Sequence, residues 1–124
     1  MTDDELKKKL GVFAANYVKN GMTVGLGSGS TAQAFVQALI ERKQKENIEI
    51  QCIATSSETE KLAKRGNLSL ISDFSKPFSC DIAIDGADFV DNKKNLIKGL
   101  GGALLREKIV ARHAKQLFIL ITEN

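Results

Sequence analysis

The apolar residues of the first twenty positions fall on one side of a helix. Leu6, Leu10, Phe13, Ala14, Tyr17 and Val18 recur at three- and four-residue spacing, the period of an α-helix with a buried stripe. Thr2 with Glu5 three residues later predicts the helix start as a capping box, and Asn20-Gly21 predicts its end. Residues 22–26 are then a short continuous apolar run, which predicts a buried strand. A second helical stripe follows in Phe35, Val36, Leu39 and Ile40, and its charged tail runs from Glu41 to Asn47. The pattern repeats with a strand over 48–54, a short helix over 57–65 stopped by Gly66-Asn67, and a strand over 68–71. Residues 72–80 hold the only proline, Pro77, and predict a loop. Ile82, Ala83 and Ile84 form a buried strand that ends on Asp85, and a turn or hairpin is expected over 91–95. A helix from about Gly102 to Ala114 would turn Leu105, Ile109 and Ala114 inward, and residues 117–121 predict a last strand.

Strands and helices that alternate, with strands apolar throughout, predict an α/β fold: a mainly parallel sheet covered on both faces. With 124 residues and no repeat, linker or low-complexity segment, the chain reads as a single domain spanning residues 1–124.

Charge narrows the partners. The net charge is only +3, and the basic residues are spread over helix faces at Lys7–Lys9, Arg42–Lys45 and Lys61–Arg65. That spread predicts solvated surface rather than a nucleic-acid stripe. No apolar run is long enough to span a bilayer, and the acidic start, Met1-Thr-Asp-Asp-Glu, is not a signal peptide. A cytoplasmic protein with no membrane and no nucleic-acid partner is expected. Cys52 and Cys80 lack a C-x-x-C spacing and should be reduced and buried. The single histidine, His113, makes a zinc site improbable. Chemistry is therefore expected from carboxylates, lysine and backbone, with no metal or cofactor.

Two stretches concentrate that chemistry. Gly27-Ser-Gly-Ser-Thr31 lies between a predicted strand and a predicted helix. Backbone N–H groups there, at the positive end of a helix dipole, suit a phosphate, and Ser28, Ser30 and Thr31 add hydroxyls. A tight turn with a hydroxyl cap would need fewer of these residues. The dinucleotide fingerprint is broken, because Ser30 stands at its third glycine and the next strand ends in Ala54-Thr-Ser-Ser57 without a carboxylate. No lysine follows the glycines as in a Walker A loop. A single phosphate on a small molecule fits best. The second stretch is Ile82-Ala-Ile-Asp-Gly-Ala-Asp88, followed by Lys98-Gly-Leu-Gly-Gly-Ala-Leu-Leu-Arg-Glu107. Taken singly, Asp85 and Asp88 could be turn residues, Lys98 a surface lysine and Glu107 an exposed helix carboxylate. Together, three carboxylates and a lysine around two glycine-rich turns exceed what a fold requires.

Val24-Gly-Leu-Gly-Ser-Gly-Ser-Thr-Ala32, Ile84-Asp-Gly-Ala-Asp88 and Lys98-Gly-Leu-Gly-Gly-Ala-Leu-Leu-Arg-Glu-Lys-Ile-Val-Ala111, in this order and spacing, resemble the type A ribose-5-phosphate isomerases. The opening Thr2-Asp-Asp-Glu-Leu-Lys-Lys-Lys-Leu10 is similar to the way that family begins. The resemblance implies a Rossmann-like three-layer fold and metal-independent interconversion of ribose 5-phosphate and ribulose 5-phosphate, a step of the non-oxidative pentose phosphate pathway. It implies Glu107 as the base that moves a proton between C1 and C2, and Asp85 and Asp88 as the groups that handle hydroxyl protons and ring opening. Lys98 would stabilise the enediolate. Substrate binding would fall to Lys7, Ser28, Gly29, Ser30, Thr31, Gly86, Ala87, Gly99, Leu100 and Gly101, and the family's habit implies a homo-oligomer, dimer or tetramer. Phe89 and Leu100 depart from the pattern, at an acidic and a glycine position respectively. Family members run longer, so these residues match their N-terminal catalytic portion, without their C-terminal α+β subdomain. The alternative is a sugar-phosphate-binding module that does not turn its ligand over, or an inactive fragment.

Overall fold

The computed structural model describes residues 2–71, 79–87, 89–90, 96–97 and 114–121, with backbone alone at 87, 89–90 and 96–97. Five parallel strands form the sheet in the order β3-β2-β1-β4-β7. They are β1 (Thr23–Leu26), β2 (Gln51–Ala54), β3 (Ser69–Leu70), β4 (Cys80–Ala87) and β7 (Ala114–Ile121). A separate antiparallel pair, β5 (Phe89–Val90) with β6 (Leu96–Ile97), brackets residues 91–95 and bears out the expected hairpin. The helices are α1 (Asp3–Ala15), α2 (Gly29–Glu46) and α3 (Ser57–Arg65).

These helices share one core with the sheet. Ala14, Ala15 and Val18 from the α1 segment, Phe35, Val36 and Leu39 from α2, and Ala63 from α3 close over Val24, Leu26, Cys52, Ile82 and Ile84. A smaller cluster of Ile53, Cys80 and Ala83 gathers Ile71 and Ala114. Burying a Leu, Ile or Phe side chain contributes about 1.5–3 kcal/mol, so the first cluster dominates the stability of the domain. Cys52 is a fully buried member of it, and burial pushes its thiol up to about 12. Among the described residues no helix is long and apolar enough to cross a membrane.

Four expectations change. First, α1 ends at Ala15 rather than at Asn20-Gly21, and no basic residue occupies its last turn. Arg42 of α2 supplies the cation instead, donating to the carbonyls of Ala15 and Val18, which suits the negative end of a helix. Second, Phe13 and Tyr17 are 57% and 44% exposed rather than inward. They stack edge-on with Phe118 of β7 in a ladder with centroid spacings of 5.4 and 4.8 Å. Third, β2 begins at Gln51, not at 48, and Asn47 ends α2 in the left-handed region at φ 53°. Ile48 and Ile50 are still buried. The segment is held to the preceding turn, where Glu49 N–H donates to Asn20 Oδ1 at 2.6 Å and Gly21 N–H to the Glu49 carbonyl at 2.6 Å. Fourth, Cys80 and Ala114 open strands instead of closing a loop and a helix. The rest of the helix expected over 102–114 lies outside the described residues.

At the N-terminal ends of the strands, Asp81 ties three of them together. It accepts from Thr23 N–H at 2.8 Å and pairs with Lys115 at 3.3 Å. The Thr23 bond, against the opposing effect of burial and with help from Lys115, holds its carboxyl below the usual carboxylate range. A depressed folded-state value means stability present above the unfolded value and lost as the pH falls through the folded one. Urea denaturation at a series of pH values should show wild type more stable than Asp81→Asn at neutral pH, with the difference shrinking below about pH 4.

Candidate active site

β1 and β2 end level with one another and with Ile84, while β4 runs on to Ala87. Leu26 is in register with both Ala54 and Ile84, so Gly27, Thr55 and Asp85 emerge side by side. Open parallel sheets bind ligands at this end, where successive helices open. Gly27 continues the ladder by one bond, donating its N–H to the Ile84 carbonyl at 2.9 Å. The chain then turns into α2, with Ser28 extended at the N-cap and Gly29 at φ +89°. That left-handed conformation is the reason for a glycine at position 29.

Asp85 is wrapped around this turn. It is 9% exposed, and its Oδ1 accepts from Ser28 N–H at 3.1 Å and from Gly86 N–H at 2.8 Å. A methyl group on Gly27 would lie 2.0 Å from that oxygen and 2.7 Å from the Asp85 Cα. Only a residue without a side chain lets β1 pass so close to the carboxylate. Gly86 has a similar reason, since an added Cβ would approach the Thr31 Cβ to 2.9 Å. The glycine turn and the aspartate strand end are therefore one packed unit.

The first turn of α2 carries no acidic residue, whereas α1 opens on Asp3, Asp4 and Glu5 and α3 includes Glu58 and Glu60. What stands there instead is a cation: Lys7 of α1 donates from Nζ to Ser30 Oγ at 2.8 Å. A positive group beside the positive end of a helix dipole is unfavourable by about 0.3–1 kcal/mol, an effect the Asp85 carboxylate on Ser28 N–H offsets in part. A bound anion reverses that sign, because backbone donors, hydroxyls and the ammonium then share one target.

The structure thus brings together Lys7, Ser28, Gly29, Ser30, Thr31, Asp85 and Gly86, with Ala87 the last residue of β4. Asp88, Lys98, Gly99, Leu100, Gly101 and Glu107 lie outside the described residues. Phe89 pairs with Ile97 in the small hairpin. Among the described residues no three His, Cys, Asp or Glu side chains gather as a metal centre would require. A wide depression at the opposite end of the sheet, lined by Gly21, Thr23, Lys43, Asn47, Gln51 and Ser69 among others, sits at strand starts and a helix C-terminus, away from the carboxylate and the glycine turn.

The family model for ribose 5-phosphate isomerase A (phosphoriboisomerase A) matches residues 51–124. The chain belongs to the ribose 5-phosphate isomerase A family. Ribose-5-phosphate isomerase A of Bacillus mycoides is 50% identical over 119 residues, covering 96% of this chain and 53% of that protein. Ribose 5-phosphate isomerase A from Methanocaldococcus jannaschii superposes with a TM-score of 0.89 at 36% identity, over 98% of this chain and 54% of that one. A D-ribose-5-phosphate isomerase in complex with phospho-erythronic acid gives 0.88 at 35% identity, over 96% and 52%. The chain spans about half the length of the relatives it matches. The superposition bears out the Rossmann-like α/β fold expected for the family.

Two residues at this edge escaped the sequence. Thr55 donates from its buried hydroxyl to the Leu26 carbonyl at 2.7 Å, pinning the last residue of β1 where the glycine turn begins. Gly11 of α1 lies against the α2 backbone at Ala34 and Phe35. Only strand register would have shown that Thr55 faces Leu26. Thr55→Val keeps the shape but leaves that carbonyl unsatisfied, and urea denaturation should show a loss of about 1–3 kcal/mol. Gly27→Ala should cost a comparable ~1–3 kcal/mol through overpacking against Asp85, and a backbone amide spectrum should show the Ser28 resonance shifted.

Proposed function

We propose that this chain carries the phosphate subsite and part of the catalytic carboxylate set of a metal-independent isomerase interconverting ribose 5-phosphate and ribulose 5-phosphate. The observation that carries the proposal is the Lys7 ammonium seated at the positive end of α2, beside hydroxyls and a glycine turn. That arrangement calls for an anion. Family membership and the structural relative bound to phospho-erythronic acid favour a phosphorylated sugar: the planar carboxylate of that acid, at the end of a phosphorylated chain, has the shape and charge of an enediolate.

With the phosphate on Ser28–Thr31 and Lys7, the sugar extends toward the tip of β4. Asp85 lies where a hydroxyl of the opened sugar would pass, and with Asp88 it carries protons to and from sugar oxygens. Glu107 removes the proton from C2 of the aldehyde form and returns it to C1, so the carbonyl moves from C1 to C2 with no net change of oxidation state. Lys98 shields the enediolate oxygen between these two transfers, the interval at which a fixed cation accelerates most. Gly86, Ala87, Gly99, Leu100 and Gly101 supply backbone around the sugar. The reaction would take place in the cytoplasm, in a homo-oligomer, without nucleic acid.

Isomerisation of ribose 5-phosphate in D2O tests this directly. Wild type should form ribulose 5-phosphate carrying solvent deuterium at C1, and Glu107→Gln should lower the rate by about 10²–10⁴-fold. Binding of ribose 5-phosphate with neither product nor exchange would assign the chain to non-catalytic binding modules. Near wild-type turnover in Glu107→Gln would remove Glu107 as the base.

A further inference from the structure

Lys7 sits on a long, flexible side chain, and something must hold its helix at the right distance from the glycine turn. α1 and α2 run side by side in the same direction, as their contacts show. Lys7 meets Ser30. One turn further along both helices, Gly11 meets Ala34 and Phe35. At the far end Arg42 reaches Ala15 and Val18. Residues four apart lie above one another on a helix face, so the Gly11 contact is the neighbouring rung to the Lys7 contact.

Gly11 is buried and touches backbone. An added Cβ would lie 2.7 Å from the Ala34 carbonyl carbon and oxygen and 2.8 Å from the Phe35 nitrogen. These atoms belong to the interior of α2 and cannot rotate aside as a side-chain tip would. Any larger residue must therefore separate the helices, by well over half an ångström to regain ordinary contact. We infer that Gly11 is a positioning residue for the phosphate subsite: by letting the two helix backbones touch, it fixes the Lys7 ammonium against Ser30 without itself meeting ligand. The inference rests on the phosphate reading of Lys7 and the glycine turn.

A double-mutant cycle read by calorimetric titration with inorganic phosphate and with ribose 5-phosphate tests it. Lys7→Met should weaken binding by about tenfold or more in the otherwise wild-type chain, the worth of a charge-assisted contact. In the Gly11→Ala background the same change should cost less than about threefold, because the ammonium is already displaced. Equal losses in the two backgrounds would overturn the positioning role, even if Gly11→Ala lowers stability. Arg42→Gln serves as the comparison, since it loosens the far end and leaves the Gly11 rung intact. Full cost of Lys7→Met in that background is expected, and a cost as small as in Gly11→Ala would reduce Gly11 to general packing. Should Gly11→Ala fail to fold, linkage supplies a second measurement in wild type: phosphate must tighten the seam that positions its ligand. Amide exchange around Gly11 should slow on adding phosphate in wild type but not in Lys7→Met at equal occupancy. Slowing that is identical in both would overturn the proposal. A wild-type chain that binds neither probe would instead sink the phosphate reading, and this inference with it.

Discussion

The site depends on how closely the end of β1 approaches β4 at Asp85. Parallel strands bring backbones to a fixed spacing, but a buried carboxylate and a phosphate-type turn can share that spacing only if one strand ends in nothing but backbone. Gly27 meets that constraint, with Asp85 filling the space a side chain would have taken. The two N–H groups on Asp85 Oδ1 then fix the carboxylate and the turn in one step. Thr55 ties the end of β2 to the end of β1 by bonding the Leu26 carbonyl, so the three strands are locked together at this edge before any ligand arrives. Such preorganisation avoids ordering costs at the moment of binding.

Behind this edge, the helix pair does the electrostatic half of the task. At the positive end of α2 the Asp85 carboxylate takes the Ser28 N–H while the Lys7 ammonium takes Ser30 Oγ, so an acceptor and a cation stand on either side of the glycine turn. The rest of the helix pair is held by a dense core and by Arg42, whose guanidinium joins the end of α1 to α2.

What was legible in the sequence were features written in local chemistry. Thr2 does cap α1, with Glu5 N–H donating to its hydroxyl at 3.2 Å, and the short helix over 57–65 has the bounds its caps predicted. Ser28–Thr31 and Asp85 could be named because glycine and carboxylate placement carries its own physical reason. Contacts across elements were not legible. Periodicity put Phe13 and Tyr17 on one apolar face with Ala14 and Val18; the latter two enter the core, whereas Phe13 and Tyr17 stay largely exposed and Tyr17 meets Phe118 of β7. Nothing in the sequence singles out Gly11, because its reason is the backbone of a helix more than twenty residues away. Asp81 was invisible for the same cause: its partners, Thr23 and Lys115, lie on two other strands.

Cys52 carries a consequence of its own. Its thiol is fully buried in the middle strand layer and kept protonated by that burial, with its value pushed up to about 12. The thiolate is the reactive form, so an alkylating reagent in solution meets almost none of it while the sheet is closed. The sulfur becomes available only when β2 separates from its neighbours. The protein thus contains an internal clock for its own opening: covalent capture at position 52 counts excursions that free β2 from its neighbours.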